Sequence, residues 1–266
     1  MRDYTVAKTS GILFRQPSPG VAEVRLNRPG KLNALDEEMY GTLTDVFSQM
    51  HEDGDVRAVI LSAEGRGFCS GSDVGAMLKT DGRAARARLQ RRHAAIQAVY
   101  RMETPVIAAV QGPVAGIGVA LAMACDLIVA AEDTYFQQAH RNVGLVPDGG
   151  SVFFLSQRLG VGRAKDLVMT GRRLGVQEAS EWGVVNRVVS TQDLAARSLA
   201  LAEELASAPT YVLGLTKKMF AAASVPSLET VMEIESYAAS VARSSRDHRE
   251  GVTAFKEKRP PRFTGE

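Results

Sequence analysis

The sequence predicts an α/β fold with a helical region at its C-terminal end. Short apolar segments separated by Gly- and Pro-rich turns fill the front of the chain, whereas its last quarter shows mainly the helical period. The chain has 266 residues, of which 45% are hydrophobic and 23% charged, as is usual for a soluble globular protein. A strand-rich front followed by a helical back is typical of one α/β core with an appendage. We therefore predict a core over residues 1–205 and a C-terminal helical region over residues 206–266.

The first third of the chain is predicted to form a hairpin, a helix and a buried strand. Gly11–Gln16 and Val21–Leu26 alternate around a Pro-Ser-Pro-Gly turn, a pattern typical of two antiparallel strands. A helix begins near Asp36, because apolar residues recur at helical spacing after it. Arg57–Ser62 is then a short buried strand, and a Gly-rich turn, Gly65–Gly75, follows it.

An Arg-rich helix is predicted over Arg83–Met102, with its arginines on a solvated face, and a long apolar run, Pro105–Ala131, follows it. The run is long enough for a membrane helix, but Gly and Pro residues divide its middle. We interpret it as a strand at Val106–Val110, a helix at Ile117–Cys125 and a strand at Leu127–Ala130. No membrane partner is therefore expected. The net charge of +2 gives no reason to expect a nucleic acid partner either.

Beyond the apolar run, Thr134–Gln138 is predicted to be a short strand and Asn142–Ser151 a loop. Helices are expected to alternate from Val152 onward, and a basic tail ends the chain. The last quarter is predicted to hold three helices, Asp193–Ser207, Tyr211–Ala223 and Leu228–Ser244.

The cysteine content and the N-terminal residues bear on metal binding and location. Cys69 and Cys125 are the only two cysteines, too few for a disulfide framework or a structural zinc site, so we expect no metal. The first residues lack the apolar segment of a secretory signal. We therefore expect a cytoplasmic protein.

Two Gly-rich turns are candidates for binding chemistry. Gly67–Asp73 follows one strand, and Gly112–Gly118 joins a strand to a helix. The second turn has the pattern of a dinucleotide-binding turn, but it lies in the middle of the chain and opens too short a helix, so we expect no nicotinamide cofactor. Two such turns can aim two backbone N–H groups at one oxygen, forming an oxyanion hole that stabilises negative charge on a carbonyl.

Several segments spread along the chain form a recognisable set: LNRPGKLNAL, GRGFCSGSDV, NVGLVPDGGS and EGVTAFKEKRPPRFTG, which occur in this order over nearly its whole length. On these segments the chain resembles the crotonase, or enoyl-CoA hydratase/isomerase, superfamily, and within it the branch of ring-1,2-epoxyphenylacetyl-CoA isomerases. The resemblance implies a spiral of ββα units and a C-terminal helical region that packs a homotrimer or a dimer of trimers. It also implies coenzyme A thioesters as substrates, with no separate cofactor.

The same resemblance implies which residues bind the substrate. The N–H groups of Ser72 and Ile117 are expected to form the oxyanion hole. Arg28 and Lys258 are expected to contact the CoA phosphates, Lys258 from across a subunit interface. The backbone around Ser70 is expected to cradle the adenine.

Three further positions bear on the reaction. The hydratases of this family place a water with two glutamates, but this chain has Ala120 and His140 at those positions, and alanine transfers no proton. Asp148 stands where several isomerases of the superfamily carry a catalytic acid. We predict that Asp148 is buried, that its pKa is raised, and that it shifts a proton between two carbons of the acyl chain. The alternative is that Asp148 only caps a Pro-Asp-Gly turn.

Other interpretations stay open. His140 is either an acid/base, as a hydratase or related lyase would need, or a residue that lines the pocket. His93 matches a histidine of the superfamily's aryl-CoA dehalogenases, although His140 replaces their tryptophan. A third interpretation is that the chain is a catalytically silent acyl-CoA binding protein, since it has neither of the two glutamates. The choice of acyl group is expected to lie in loops such as Met77–Arg83.

Overall fold

Strands and helices alternate along most of the chain, which confirms the predicted α/β class. The structure is a computed structural model that describes residues 11–73, 82–223 and 228–265, apart from the side chains of residues 82–85, 228, 229 and 231. Most of the loop Met77–Arg83, where the sequence predicts acyl specificity, lies outside these residues. Within the part described, no helix is both long and apolar enough to cross a membrane.

The strands form two sheets, one of six strands in the order β1-β2-β3-β4-β6-β9 and one of three in the order β5-β7-β8. The strands are β1 (Ile12–Ser18), β2 (Val21–Leu26), β3 (Ala58–Ala63), β4 (Val106–Val110), β5 (Pro113–Ala115), β6 (Leu127–Ala131), β7 (Tyr135–Gln137), β8 (Arg173–Gly175) and β9 (Arg187–Val189). In the larger sheet β1 pairs antiparallel with β2, and the remaining pairs are parallel. The predicted hairpin and the division of the apolar run are therefore confirmed.

The helices cover both faces of the larger sheet. They are α1 (Glu37–Glu52), α2 (Gly82–Arg101), α3 (Ile117–Ala124), α4 (Ser151–Thr170), α5 (Val176–Glu181), α6 (Leu194–Ser207), α7 (Thr210–Ala223), α8 (Leu228–Ser244) and α9 (Arg246–Glu257). The main apolar core lies between the sheet and α1, α2 and α3. A second cluster packs α6 on the opposite face. The boundary predicted after residue 205 falls within α6, and the division into two regions stays a prediction.

Four elements were missed or mistaken. The strand β5 lies within the predicted turn Gly112–Gly118, and the strands β8 and β9 lie where only helices are predicted. All three have only three residues, and so short a strand depends on its partner strand rather than on its own pattern. The last predicted helix ends at Ser244, so α9 was not predicted, and its last three residues overlap the start of the predicted basic tail, residues 255–266. This helix is capped by Ser245, whose hydroxyl oxygen accepts a hydrogen bond from the N–H of His248 at 3.0 Å.

Parallel pairing of β3 with β4 brings the two Gly-rich turns to one edge of the sheet. Val59, Ile60 and Leu61 pair with Val106, Ile107 and Ala108 in register. The carboxyl ends of parallel neighbours lie at the same edge, and each turn begins just beyond such an end. That edge is therefore where ligand chemistry is expected.

Asp247 fastens the end of the chain to the rest of the fold. Its side chain is buried, and its two carboxylate oxygens accept the N–H groups of Thr264 and Gly265 at 2.7 and 2.8 Å. Arg57, the residue just before β3, holds the same segment and donates to the carbonyl oxygen of Phe263 at 3.1 Å. The tail thus joins the first turn of α9 to the large sheet.

Replacing Asp247 with asparagine is expected to destabilise the protein by about 2–4 kcal/mol. Hydrogen bonds to a charged acceptor contribute about 1.5–3 kcal/mol each, and an amide turns an N–H₂ group toward one of the two donors. The free energy of unfolding in urea measures the loss. Asp45→Asn, at an exposed position of α1, is the control and should change it by less than about 0.5 kcal/mol.

Candidate active site

The two Gly-rich turns lie directly against each other. The N–H of Cys69 donates to the carbonyl oxygen of Pro113 at 3.2 Å, and the N–H of Ala115 donates to that of Cys69 at 2.8 Å. A Cβ on Gly71 would lie 3.8 Å from Cα of Gly116, in ordinary van der Waals contact, and both glycines have positive φ, at 112° and 55°. Glycine is favoured at these two positions because L side chains rarely adopt such a backbone conformation.

Ser72 and Ile117 each follow one of these glycines. Leu35 pairs with this turn as in a parallel sheet: its N–H donates to the carbonyl oxygen of Gly71, and its carbonyl oxygen accepts the N–H of Asp73, both at 2.8 Å. The N–H of Ser72, which lies between these two residues, therefore points away from Leu35. Ile117 is the first residue of α3, and its N–H has no acceptor within the helix. The geometry is thus compatible with a pair of donors for one oxygen, and the oxyanion role stays a prediction.

Tyr40 of α1 holds the side chain of Ser72. The two hydroxyl oxygens are 2.7 Å apart. Tyr40 is fully buried, and burial raises the pKa of its phenol far above the ordinary value, so the hydroxyl stays protonated. The turn that carries Ser72 is therefore tied to helix α1 through a neutral hydrogen bond.

Asp148 lies between two nitrogen groups. Its Oδ1 is 3.2 Å from Nε2 of His140, and its Oδ2 is 3.3 Å from a terminal guanidinium nitrogen of Arg92. The hydrogen bonds that close the turn are made by the main chain of Asp148 and not by its side chain. The carbonyl oxygen of Asp148 accepts the N–H and the hydroxyl of Ser151. The carboxylate is therefore free of the turn-capping role that its Pro-Asp-Gly context suggests.

The prediction of a raised pKa for Asp148 is wrong. Burial alone raises the pKa of this carboxyl, but the hydrogen bond and charge of His140, together with the charge of Arg92, outweigh burial and lower the pKa below its ordinary value. Burial was foreseen correctly, whereas the neighbouring cation was not. Asp148 is a carboxylate at neutral pH.

His140 and Asp148 both lie beside the start of α3. A Cβ on Gly116 would be 3.8 Å from Cε1 of His140. A Cβ on Gly149 would be 2.6 Å from Cγ1 of Ile117, so the residue after Asp148 rests on the first turn of the helix. Four predicted residues, Ser72, Ile117, His140 and Asp148, are thus gathered at one place.

Arg92 is the site residue that sequence reasoning missed. It belongs to the arginine run of α2 that is predicted to be a solvated face, yet its side chain is only 12% exposed. Its helical spacing would have revealed it, because Ala95, Ile96 and Val99 follow it by three, four and seven residues and are buried. His93 is exposed, and of the two neighbours it is Arg92 that contacts Asp148.

Two of the predicted CoA-binding residues lie on neighbouring turns. Arg28 pairs with Asp36 at 3.1 Å and with Asp73 at 3.0 Å, which leaves its side chain 22% exposed. The hydroxyl of Ser70 donates to the carbonyl oxygen of Lys31 at 3.2 Å. Lys258 lies exposed at the end of α9, and no hydrogen bond or ion pair among the described residues joins it to Arg28 or Ser70. Binding of CoA by these residues stays a prediction.

A cavity of about 230 Å³ lies at the other end of α3. Its charged residues have partners: Lys217 pairs with Asp126 at 2.8 Å, and Arg158 donates to the carbonyl oxygens of Met123 and Cys125. These contacts satisfy the carbonyl end of the helix, so we assign them a structural role. Among the described residues no group of three or more His, Cys, Asp and Glu side chains is placed to hold a metal ion.

Comparison with known proteins agrees with this geometry. The family model for enoyl-CoA hydratase/isomerase matches residues 16–266. The chain is 36% identical to 1,2-epoxyphenylacetyl-CoA isomerase of Escherichia coli (strain K12), over 92% of this chain and 95% of that protein. It is also 36% identical to a probable enoyl-CoA hydratase of Rhodobacter capsulatus, over 93% and 96%. The crystal structure of enoyl-CoA hydratase from Bacillus anthracis superposes with a TM-score of 0.92 at 32% identity, covering 96% of this chain and all of that one. The predicted crotonase-type fold is therefore confirmed.

Proposed function

Because the chain belongs to the enoyl-CoA hydratase/isomerase family, we propose that it is an acyl-CoA isomerase in which Asp148 moves a proton along the acyl chain. The observation that carries the proposal is the place of Asp148, whose carboxylate lies beside the first turn of α3 and is bound by His140 and Arg92. Ala120, one turn further along this helix, offers no second carboxylate. A shift of one proton needs only one such group.

The substrate in this proposal is an unsaturated or ring-modified acyl-CoA. Arg28 and the turn at Ser70 bind the nucleotide part, and Lys258 does so from a neighbouring copy of the chain in a homotrimer or a dimer of trimers. The thioester carbonyl oxygen accepts the N–H groups of Ser72 and Ile117. Two such donors stabilise an enolate by several kcal/mol, since removal of one costs about 3–4 kcal/mol.

With a 3-enoyl-CoA the steps balance without water or any redox partner. The carboxylate of Asp148 takes a proton from C2, and the C–H electron pair passes into the thioester, forming a dienolate whose oxygen lies in the oxyanion hole. The protonated Asp148 then gives that proton to C4. The double bond moves from C3–C4 to C2–C3, and the carboxylate is restored.

A hydratase or related lyase that uses His140 is the second candidate. The pairing of its Nε2 with Asp148 at 3.2 Å supports this candidate, since two groups able to carry a proton stand side by side. In such an enzyme His140 takes a proton from the water whose oxygen adds to C3 of a 2-enoyl-CoA, and the pair of His140 and Asp148 then returns a proton to C2 of the enolate that forms. A catalytically silent acyl-CoA binding protein is the third possibility, and the same experiment separates all three.

The test follows the products of a 3-enoyl-CoA and of a 2-enoyl-CoA by liquid chromatography with mass spectrometry in ¹⁸O-labelled water, because the two positional isomers have the same mass and are distinguished by their retention times. Isomerisation of the first substrate without uptake of ¹⁸O is expected. Uptake of ¹⁸O by the second, lost in His140→Ala, would favour the hydratase. Tight binding of CoA thioesters with no turnover of any acyl group tried would favour the silent binder and contradict the isomerase.

A further inference from the structure

Arg92 links helix α1 to the turn that carries Asp148. One terminal nitrogen reaches Asp148 at 3.3 Å, and the other lies 3.6 Å from a carboxylate oxygen of Glu37 on α1. Its guanidinium carbon lies 5.6 Å from the ring centre of Tyr40, whose hydroxyl binds Ser72. One side chain of α2 thus touches both the proposed proton carrier and the tyrosine that holds the oxyanion turn.

The two nitrogen partners of Asp148 differ in charge, since an arginine always carries a positive charge and a histidine does not. His140 faces it from the turn before it, Arg92 faces it from α2, and the neutral phenol of Tyr40 lies on α1 behind the guanidinium. Glu37 is held on the far side of Arg92 and fixes that guanidinium in place. Each oxygen of Asp148 therefore has one nitrogen partner, and the permanent cation among these groups is Arg92.

We propose that Arg92 is a positioning residue of this site, which holds one oxygen of the Asp148 carboxylate and thereby turns the other oxygen toward His140. The inference rests on the proposed function. Arg92 acts through Asp148 and touches no reacting atom in the proposed reaction.

This position has a consequence for the proton shift. An isomerase must both take a proton from one carbon and return it to another. The cation beside Asp148 keeps the carboxylate ready to accept a proton at neutral and mildly acidic pH, and it also makes the carboxylic acid that forms a better donor for the return step. Loss of Arg92 is therefore expected to move the pH dependence of the reaction rather than the binding of CoA.

The experiment compares Arg92→Met, Arg92→Lys and the matched control Arg91→Met. Arg91 also pairs with Glu37, at 3.1 Å, but its side chain is 56% exposed and has no bond to Asp148. Two quantities are measured: the acid limb of kcat/KM for isomerisation, and the protonation midpoint of the Asp148 carboxyl. The midpoint comes from ¹³C NMR of aspartate-labelled protein, with the resonance assigned through Asp148→Asn.

In Arg92→Met both the carboxyl midpoint and the acid limb are expected to rise by about one to three pH units, the size of the effect of a neighbouring opposite charge. KM is expected to stay within about twofold, because Arg92 does not touch the proposed CoA contacts. Arg92→Lys keeps the cation but loses the planar pair of donors, so its midpoint should stay near the wild-type value while kcat falls. Arg91→Met should behave as wild type.

An unchanged carboxyl midpoint in Arg92→Met overturns the inference. If Arg92→Met does not fold, a wild-type kcat in Arg92→Lys overturns the inference equally. The simultaneous contact of the two guanidinium nitrogens with Asp148 and Glu37 would then have no role in the reaction. If the wild type moves no double bond at all, the proposed function fails. The carboxyl midpoints still decide in that case whether Arg92 holds Asp148 ionised.

Discussion

Replacing Asp148 with asparagine is expected to slow isomerisation by about 10²–10⁴-fold, the usual contribution of a positioned acid/base. Asparagine keeps the volume and one acceptor oxygen, so Arg92 or His140 still has a partner, but its amide cannot take up a proton from carbon. The loss should therefore appear in kcat, with KM little changed.

Binding of a non-reacting acyl-CoA analogue, followed by calorimetry, separates a lost proton carrier from a lost pocket. Asp166→Asn is the matched control, because Asp166 also pairs with an arginine, Arg172 at 2.7 Å, but lies on the surface at 45% exposure. Asp166→Asn should keep wild-type rates. Full activity of Asp148→Asn would contradict the proposed isomerase, and the proton would then have to be moved by His140.

The lowered pKa of Asp148 also fixes the sign of a pH effect. When the pKa of a carboxyl is lower in the folded than in the unfolded protein, the carboxylate stabilises the fold at any pH above the unfolded pKa, near 3.9. This stabilisation is lost as the pH falls through the folded pKa.

The same shift has an effect on catalysis. As far as the ionisation of Asp148 determines the rate, activity should stay level from about pH 8 down to about pH 5. A raised pKa, as burial alone predicts, would instead give a decline within that range.

The apolar run of the chain shows what local pattern can determine. Gly and Pro residues at Gln111–Gly118 correctly separated the strand β4 from the helix α3 within Pro105–Ala131, since these residue types interrupt regular structure independently of the rest of the fold, but they hid the short strand β5. The strands β8 and β9 escaped the same reasoning. Three residues carry too little pattern, and only their pairing with β7 and β6 defines them.

The site shows where local pattern fails. Asp148, His140 and the two Gly-rich turns were found because each lies in a recognisable segment. Arg92 lies in a run of arginines. Its spacing to the buried Ala95, Ile96 and Val99 marks it as the inward-facing member, but its contact with Asp148 depends on how α2 packs against its neighbours. The sign of the Asp148 pKa shift then followed the missed cation, because a pKa depends on contacts between elements that are far apart in sequence.

Ala120→Glu, which places a carboxylate where the resemblance predicts one of the two glutamates of a hydratase, is expected to destabilise this protein by about 3 kcal/mol or more. Ala120 has no exposed surface, and a Cβ on Gly149 would lie 3.2 Å from the Cβ of Ala120. The loop that carries Asp148 therefore fills the space that a longer side chain at position 120 would need. Added atoms in a packed core cost about 1–3 kcal/mol, and a buried carboxylate without a cation adds several more.

Urea denaturation measures the loss, with Ala87→Glu, at an exposed position of α2, as the control that tolerates the same substitution. The variant should also add no water to a 2-enoyl-CoA. If Ala120→Glu were as stable as the wild type, the loop at residues 148–149 would have to move aside to accommodate the longer side chain, and the expectation would be wrong. Hydration by that variant would mean that the missing glutamate alone separates this chain from the hydratases. The expected outcome instead assigns the difference to the path of residues 148–149, which brings one carboxylate to α3 and leaves no room for a second.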